Sequence, residues 1–576
     1  MNIEPLESRI APATLTGQVL TYTDIDGDKV AITISKGTLA GSMFTFDTGS
    51  VNGDNSLKQQ LQRINLGATA GVDGADISMK VTKAGGGDGL AHVGRIGGGL
   101  HDLGSVTLSG DLGSIDCGDS NAATGPALKL LSVRSMGAYG TITQAAGGDV
   151  ISLIGGSVGA IKVSGDIVGA SISVRNFGDR PDGRIGSVTI GGSLVGFDDF
   201  SGNFFSTGDI GSIKIKRDLI GGADESSGEI NCDANLGPVT VGGDLIGGAG
   251  MNSGRIFSKG TMGSVKIGGD IVGGAGIGSG QLKSMDAMGN VRVGGDVIGG
   301  ASVSGGQVSS GGAMGDVRIG GSLIGGGSFC GVLLSGGSMG HVRIGGDLTG
   351  GSVFGSDSLQ ASGEISSNGR IASVTIGGSF IAGTDASSGS LTRCGTIIAA
   401  DDIGPIKISG SIVGNSTNAA LIIAKGQDVK PTTGFDIAIA SLTVGGDVRF
   451  AKILAGFNLD VNPNNADASI GVVSVGRTWE ASSLVAGARD VGAAGFGVGD
   501  ALQTFGDTAL IARIASITIK GDVSGSLAAD DNFGFVAQQI DKLKIGGRTF
   551  TLTPGPSSPA DNFLLPFTDD VHLLEV

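Results

Sequence analysis

The stretch Gly263-Ser264-Val265-Lys266-Ile267-Gly268-Gly269-Asp270-Ile271-Val272-Gly273-Gly274 decides the fold, because close copies of it return along the chain. Taking Gly263 as the marker, further copies start at 159, 186, 211, 237, 289, 315 and 340, so successive starts lie 25 to 27 residues apart. Looser copies start at 372, 404, 440, 471, 515 and 541, and two weaker ones at 104 and 131. A period of this length is the mark of a solenoid, in which each coil buries its apolar face only against its neighbours.

Aligned columns identify the coil. Two places after the marker stand Val188, Ile213, Val239, Val265, Val291, Val317, Val342 and Val374. Two further on stand Ile190, Ile215, Val241, Ile267, Val293, Ile319, Ile344 and Ile376. The column between them is polar throughout: Thr189, Lys214, Thr240, Lys266, Arg292, Arg318, Arg343 and Thr375. In-out-in alternation is the period of a strand. A Gly-Gly pair follows, as at 268–269, 294–295 and 345–346, and is expected to turn a corner with positive φ. A second strand then enters at Leu219, Leu245, Ile271, Val297 and Leu323, and a third at Ile230, Ile256, Leu282, Val308 and Leu333. Three short strands in about 26 residues predict an all-β chain, a three-faced parallel β-helix of about sixteen turns; a propeller blade would need roughly 40–50 residues per copy.

Open solenoid ends expose strand edges, so caps are expected. The reading divides the chain into a sorting-motif segment (1–13), an N-terminal cap with the first turns (14–103), the repeats (104–553) and a C-terminal cap (554–576). Thr21 to Ile34 reads as a hairpin around Asp26-Gly27. Leu57, Leu61 and Ile64 read as a helical stripe closed by Gly67. Phe563-Leu-Leu and Val571 to Val576 are expected to fold over the last turn.

Composition agrees with a repetitive β body. Of 576 residues 112 are Gly and only 12 Pro; 40% are hydrophobic and 16% charged, too apolar for a disordered chain. The net charge of −16 argues against nucleic acid as a partner, and no apolar run is long enough for a transmembrane helix. Cys117, Cys232, Cys330 and Cys394 are far apart and read as small apolar fillers, not as a disulfide or metal framework. Met1 to Pro5 lacks the basic start and apolar stretch of an ordinary signal peptide.

Pro5-Leu6-Glu7-Ser8-Arg9-Ile10-Ala11-Pro12 resembles the L-E-P-R motif that opens many large surface or secreted repeat proteins of planctomycetes and verrucomicrobia. Leu6, Glu7 and Arg9 match, and Ser8 replaces the proline. The resemblance implies an exported bacterial protein of the cell surface or extracellular space, with the motif as a sorting or processing element.

Two groups of residues carry candidate chemistry. Asp24, Asp26 and Asp28 place three carboxylates around a Gly bend, which suits the oxygen shell of calcium; an ordinary hairpin turn explains the same residues. Calcium is the only cofactor indicated. Lys266, Arg292, Arg318 and Arg343 form a basic line suited to an anionic glycan, with Asp244, Asp270, Asp296 and Asp347 beside it as expected ion partners in a solvated ladder. Catalytic chemistry is sparse. Trp479, Tyr22 and Tyr139 are the only Trp and Tyr residues, His92, His101, His341 and His572 form no cluster, and no phosphate loop or nucleophile elbow appears. Longer spacings after 340 place insertions at 384–402, 415–438, 457–469 and 486–513, where a partner site is expected. The expected function is a non-catalytic extracellular or surface scaffold, structural or adhesive, partnered by envelope or matrix polysaccharide or protein. The alternatives are a carbohydrate-active β-helix lyase or hydrolase on an acidic polysaccharide, and a calcium-dependent glycan-binding module.

Overall fold

A computed structural model describes residues 13–47, 59–119, 125–176, 183–355, 358–387, 390–429, 434–492, 495–506, 510–526, 528, 531–555, 560–566 and 568–576. The L-E-P-R-type opening and Leu57 lie outside the described residues. The chain forms two compact units, Met1–Ile267 and Gly268–Val576. Both are parallel β-solenoid, with about sixteen turns across the two.

In the first unit, one face stacks Leu103–Thr107, Leu128–Val133, Val158–Val163, Ile185–Ile190, Ile213–Ile215, Val239–Val241 and Val265–Ile267, each parallel to the next. A second face runs through Leu194–Val195, Leu219–Ile220 and Leu245–Ile246, and a third through Phe204–Ser206, Ile230–Cys232 and Ile256–Ser258. The register is that of the aligned columns: Val188 pairs with Ile213, and Ile213 with Val239. These apolar residues are buried, and the Lys214 and Lys266 between them are exposed.

The second unit repeats the scheme. Val291–Val293, Val317–Ile319, Met339–Ile344, Ile371–Ile376 and Ile403–Ile408 stack on its first face, with Val291 on Val317 and Val317 on Val342. Val297, Leu323 and Leu348 align on the second face, and Val308, Leu333 and Ile365 on the third. The buried columns are fully out of water, and each such Val or Ile contributes about 1.5–3 kcal/mol.

The Gly-Gly corners form for a different reason from the one expected. Neither residue of the pairs at 294–295 and 345–346 has positive φ. Adjacent turns instead approach too closely there for any side chain: a Cβ on Gly294 would strike the carbonyl of Gly268, and one on Gly295 the carboxylate of Asp270. The left-handed glycine of each turn is another one, just before the third strand: Gly228, Gly254, Gly280, Gly306 and Gly331, with φ of 62, 61, 61, 59 and 59°.

The caps are built from antiparallel strands. Val19–Thr23 and Lys29–Ile34 form the expected hairpin, and Lys29–Ile34 pairs antiparallel with Ala75–Thr82. Ala75–Thr82 then pairs parallel with Leu103–Thr107, so it converts hairpin to solenoid. The stripe expected to be helical is the strand Gln60–Asn65, antiparallel to Phe44–Asp47 and parallel to Val93–Gly97. Its register slips where Thr45 faces Arg63 and Phe46 faces Leu61, leaving Gln62 as the extra residue of a bulge. That bulge puts Leu61 and Ile64, three residues apart, both into the core, which is why the spacing imitates a helix turn. At the other end Val571–Glu575 lies parallel to Phe533–Ala537 and antiparallel to Asn562–Leu564, covering the last turn.

All four cysteines are buried, and none is in a disulfide. Cys232 shows their use: it occupies the place of Ser206 and Ser258 in adjacent turns and, like them, donates to carbonyls of the neighbouring corner. No helix among the described residues is long and apolar enough to cross a membrane.

Candidate functional site

Three places bring functional side chains together. The first is the basic column. Arg292, Arg318 and Arg343 are paired residue on residue in the second unit, all exposed, at the roughly 4.8 Å spacing of adjacent strands. Lys266 ends the equivalent column of the first unit, where it pairs with Thr240.

The acidic residues expected to neutralise this line do something else. Asp270 Oδ1 accepts the N–H of Asp296 at 2.7 Å, Asp296 Oδ1 that of Ser322 at 2.6 Å, and Asp347 Oδ1 that of Ser379 at 2.6 Å. In the first unit Asp218 Oδ1 accepts the Asp244 N–H at 2.9 Å. Each carboxylate thus satisfies a backbone donor that the Gly-Gly corner of the next turn leaves open. These contacts join carboxylate to backbone, where ion pairs with the basic line were expected of Asp296 and Asp347. Among the described residues Arg292, Arg318 and Arg343 form no ion pair.

The second place is the N-terminal hairpin. Asp24 Oδ1 accepts the N–H groups of Asp26, Gly27 and Asp28 at 3.3, 3.0 and 2.8 Å, which folds the tight turn. Asp28 is fully buried, and its two oxygens accept the Ala84 and Gly89 N–H groups, each at 2.6 Å. Asp26 Oδ2 accepts the Asp88 N–H at 2.8 Å. The turn therefore grips the 84–90 loop, a partnership that sequence reading did not show. One oxygen from each of Asp24, Asp26 and Asp28 lies within 4.8 Å of the others. Burial, together with the adjoining Asp26 carboxyl, pushes Asp24 up to about 7. Asp26 is held low in spite of its burial, by the Asp24 carboxyl and by the Asp88 N–H. A cavity of about 230 Å³ opens on this turn, lined by Tyr22, Asp24, Asp26, Asp88, His92 and Tyr139 among others.

The third place lies among the insertions of the second unit. A cleft of about 880 Å³ is lined by Phe450, Lys452, Glu480, Asp490, Phe496 and Asp531, with Asn415 and Ser416 at one side. Its wall is the 486–513 insertion, where Ala488–Arg489 and Ala501–Leu502 form a short antiparallel pair. Phe496 anchors this insertion in an apolar cluster with Phe457, Leu454, Val485 and Val536. Asp490 and Asp531 each keep a buried carboxylate oxygen without a hydrogen-bond partner among the described residues. Burial and the Asp490 charge raise Asp500 behind them to about 6. Insertion 457–469 lines a separate opening with Lys425, Asp428 and Phe505, and 384–402 lines neither. Trp479 is core: its indole N–H donates to the Ser482 carbonyl at 2.9 Å and its ring packs edge-on against Phe535.

Compared with protein-family models, curated proteins and solved structures, the chain matches none.

Proposed function

We propose that the protein is a non-catalytic extracellular or cell-surface β-solenoid scaffold that holds an acidic polysaccharide of the envelope or matrix along its basic column. The observation that carries this reading is the register of Arg292, Arg318 and Arg343: exposed, stacked, and without acidic partners among the described residues. Like charges stacked on one sheet face repel, and a polyanion with charges repeating every few ångströms relieves that repulsion. The other polar residues of the column, such as Thr375 and Thr443, extend it with hydroxyls suited to sugar hydrogen bonding. The surface placement draws its support from the match of Leu6, Glu7 and Arg9 to the L-E-P-R motif.

Binding to a uronic-acid polymer, measured at low and at physiological salt, tests the reading. Arg292→Glu with Arg318→Glu and Arg343→Glu is expected to weaken binding by about tenfold or more and to flatten its salt dependence. The melting temperature should barely move, because all three side chains are exposed. Binding that survives the triple change, or no binding to any polyanion, would remove the reading.

A second reading is carbohydrate cleavage in the insertion cleft, favoured by the unpartnered carboxylate oxygens of Asp490 and Asp531. Glycoside hydrolysis uses a pair of carboxyl groups in such a cleft. Release of reducing ends from the same polymer, lost in Asp490→Asn, would put the enzyme in place of the scaffold.

A further inference from the structure

Several buried polar oxygens on the cavity of the N-terminal hairpin lack a hydrogen-bond partner among the described residues. Tyr22 is 5% exposed and Thr143 2%, yet neither hydroxyl has a hydrogen-bond partner among the described residues, and both residues line the cavity. Gln59, on the same wall, has a buried Oε1 in the same state. An unsatisfied buried polar group costs about 1–3 kcal/mol, so several converging on one small space call for an occupant.

The charges around this space specify the occupant. The Asp24 and Asp26 carboxyls lie against each other, and the Asp88 carboxyl adjoins that of Asp26. No Lys or Arg among the described residues forms an ion pair with any of them. Asp28 accepts the N–H groups of Ala84 and Gly89 and so clamps the loop to the turn, while one oxygen from each of Asp24, Asp26 and Asp28 stays within 4.8 Å of the others. Asp88 is fixed through Oδ1, which accepts the Leu90 N–H at 2.7 Å. The nearby nitrogen donor is disqualified as a ligand. His92 Nδ1 accepts the Asp111 N–H at 3.0 Å, so in the neutral ring its proton sits on Nε2. Its face packs on Tyr139 with centroids 4.3 Å apart. What remains is carboxylate, amide and hydroxyl oxygen, the donor set of a hard cation and not of zinc or copper.

We propose that the hairpin turn and the 84–90 loop form a calcium site, with ligand oxygens from the Asp24, Asp26 and Asp28 cluster and from Asp88, and with Tyr22, Gln59 and Thr143 around its water shell. Calcium takes six to eight oxygens, and about 230 Å³ leaves room for waters to complete that number. The sequence alone offered Asp24, Asp26 and Asp28, one oxygen from each of which lies within 4.8 Å of the others; the fold adds Asp88, 62 residues beyond Asp26, whose N–H reaches Asp26 Oδ2. The cation would tie the antiparallel cap to the start of the first solenoid turns, because the loop runs from Ala75–Thr82 to Val93–Gly97. The site is independent of the polysaccharide reading.

Terbium is a direct probe, because it binds calcium sites and its emission is excited by an adjacent tyrosine. The only two tyrosines of the chain, Tyr22 and Tyr139, both line this cavity. Full-length protein stripped with EDTA is expected to bind one calcium in equilibrium dialysis and to give tyrosine-excited terbium emission that calcium quenches and zinc does not. Asp26→Asn with Asp88→Asn should weaken calcium binding by about tenfold or more, because affinity follows ligand charge. Asp88→Asn alone keeps the acceptor for the Leu90 N–H, so it tests the ligand role with the loop intact. Wild-type protein that binds no calcium in dialysis overturns the proposal, whatever the variants do. Calcium bound equally well by a folded Asp88→Asn variant overturns the assignment of this site.

Discussion

Val291→Asp is expected to abolish cooperative unfolding of the second unit. Val291 is 1% exposed and stacks on Val317 in the innermost column of the first face. The substitution forfeits about 1.5–3 kcal/mol of side-chain burial. It also places a carboxylate among Val and Ile side chains with no cation to meet it, a further penalty of several kcal/mol. Against a typical domain stability of about 5–15 kcal/mol, that sum is disabling. Arg292→Asp, one residue along the same strand, is the control, because that side chain points outward. Thermal and denaturant melts followed by circular dichroism should show a broad, early transition for Val291→Asp and a near-native one for Arg292→Asp. Two indistinguishable melts would mean that the columns are not where the fold puts them.

The second large effect concerns whole against fractional turns. Deleting 317–341 removes one strand from each face and returns Val342 to the place of Val317, Leu348 to that of Leu323 and Ile365 to that of Leu333. Every column closes again, so the shortened chain should stay folded and unfold cooperatively, with a modestly lower midpoint. Deleting 317–329 removes the first two strands of that turn but leaves the third, Val332–Ser335. The next strand then has no equivalent position to enter, and apolar residues turn outward. Soluble yield and melting cooperativity separate the outcomes: the whole-turn deletion should resemble the parent, and the half-turn deletion should aggregate.

How much of this was legible in the sequence follows from what a linear pattern encodes. The columns through Val188, Val239 and Val291 were legible because alternation along a strand and repetition along the chain are both visible in one dimension. Gly294 and Gly295 were recognised as a corner but for the wrong reason, since the crowding that demands them comes from Gly268 and Asp270 one turn away. Asp296 and Asp347 suggested ion pairing because acid next to base is the simplest one-dimensional pairing; the backbone donor each one serves belongs to the following turn. Leu61 and Ile64 looked helical because a bulge, invisible in the sequence, gives a strand the same spacing. At the hairpin, Asp24 and Asp26 stood out through their local motif. Asp88 and Tyr22 did not, because the loop closure that brings Asp88 to Asp26 is set by the antiparallel pairing of Lys29–Ile34 with Ala75–Thr82. The insertion cleft was foreshadowed by irregular spacing alone, while Asp490 and Asp531 carried no signal until the chain was folded.

The register of the turns is the point on which the columns, the basic line and the deletion results all depend. Disulfide trapping measures it directly. Arg292→Cys with Arg318→Cys joins outward residues 26 positions apart that the fold stacks as strand neighbours, inside the Cα separation of about 4.4–6.8 Å that a disulfide spans. Arg292→Cys with Lys283→Cys joins residues only nine positions apart but on different faces of the coil. The four native thiols are buried and should stay silent in the folded protein. Under mild oxidation the account predicts rapid, near-complete cross-linking of the 292–318 pair and little of the 283–292 pair. Preferential cross-linking of the sequence-near pair would contradict the three-faced turn.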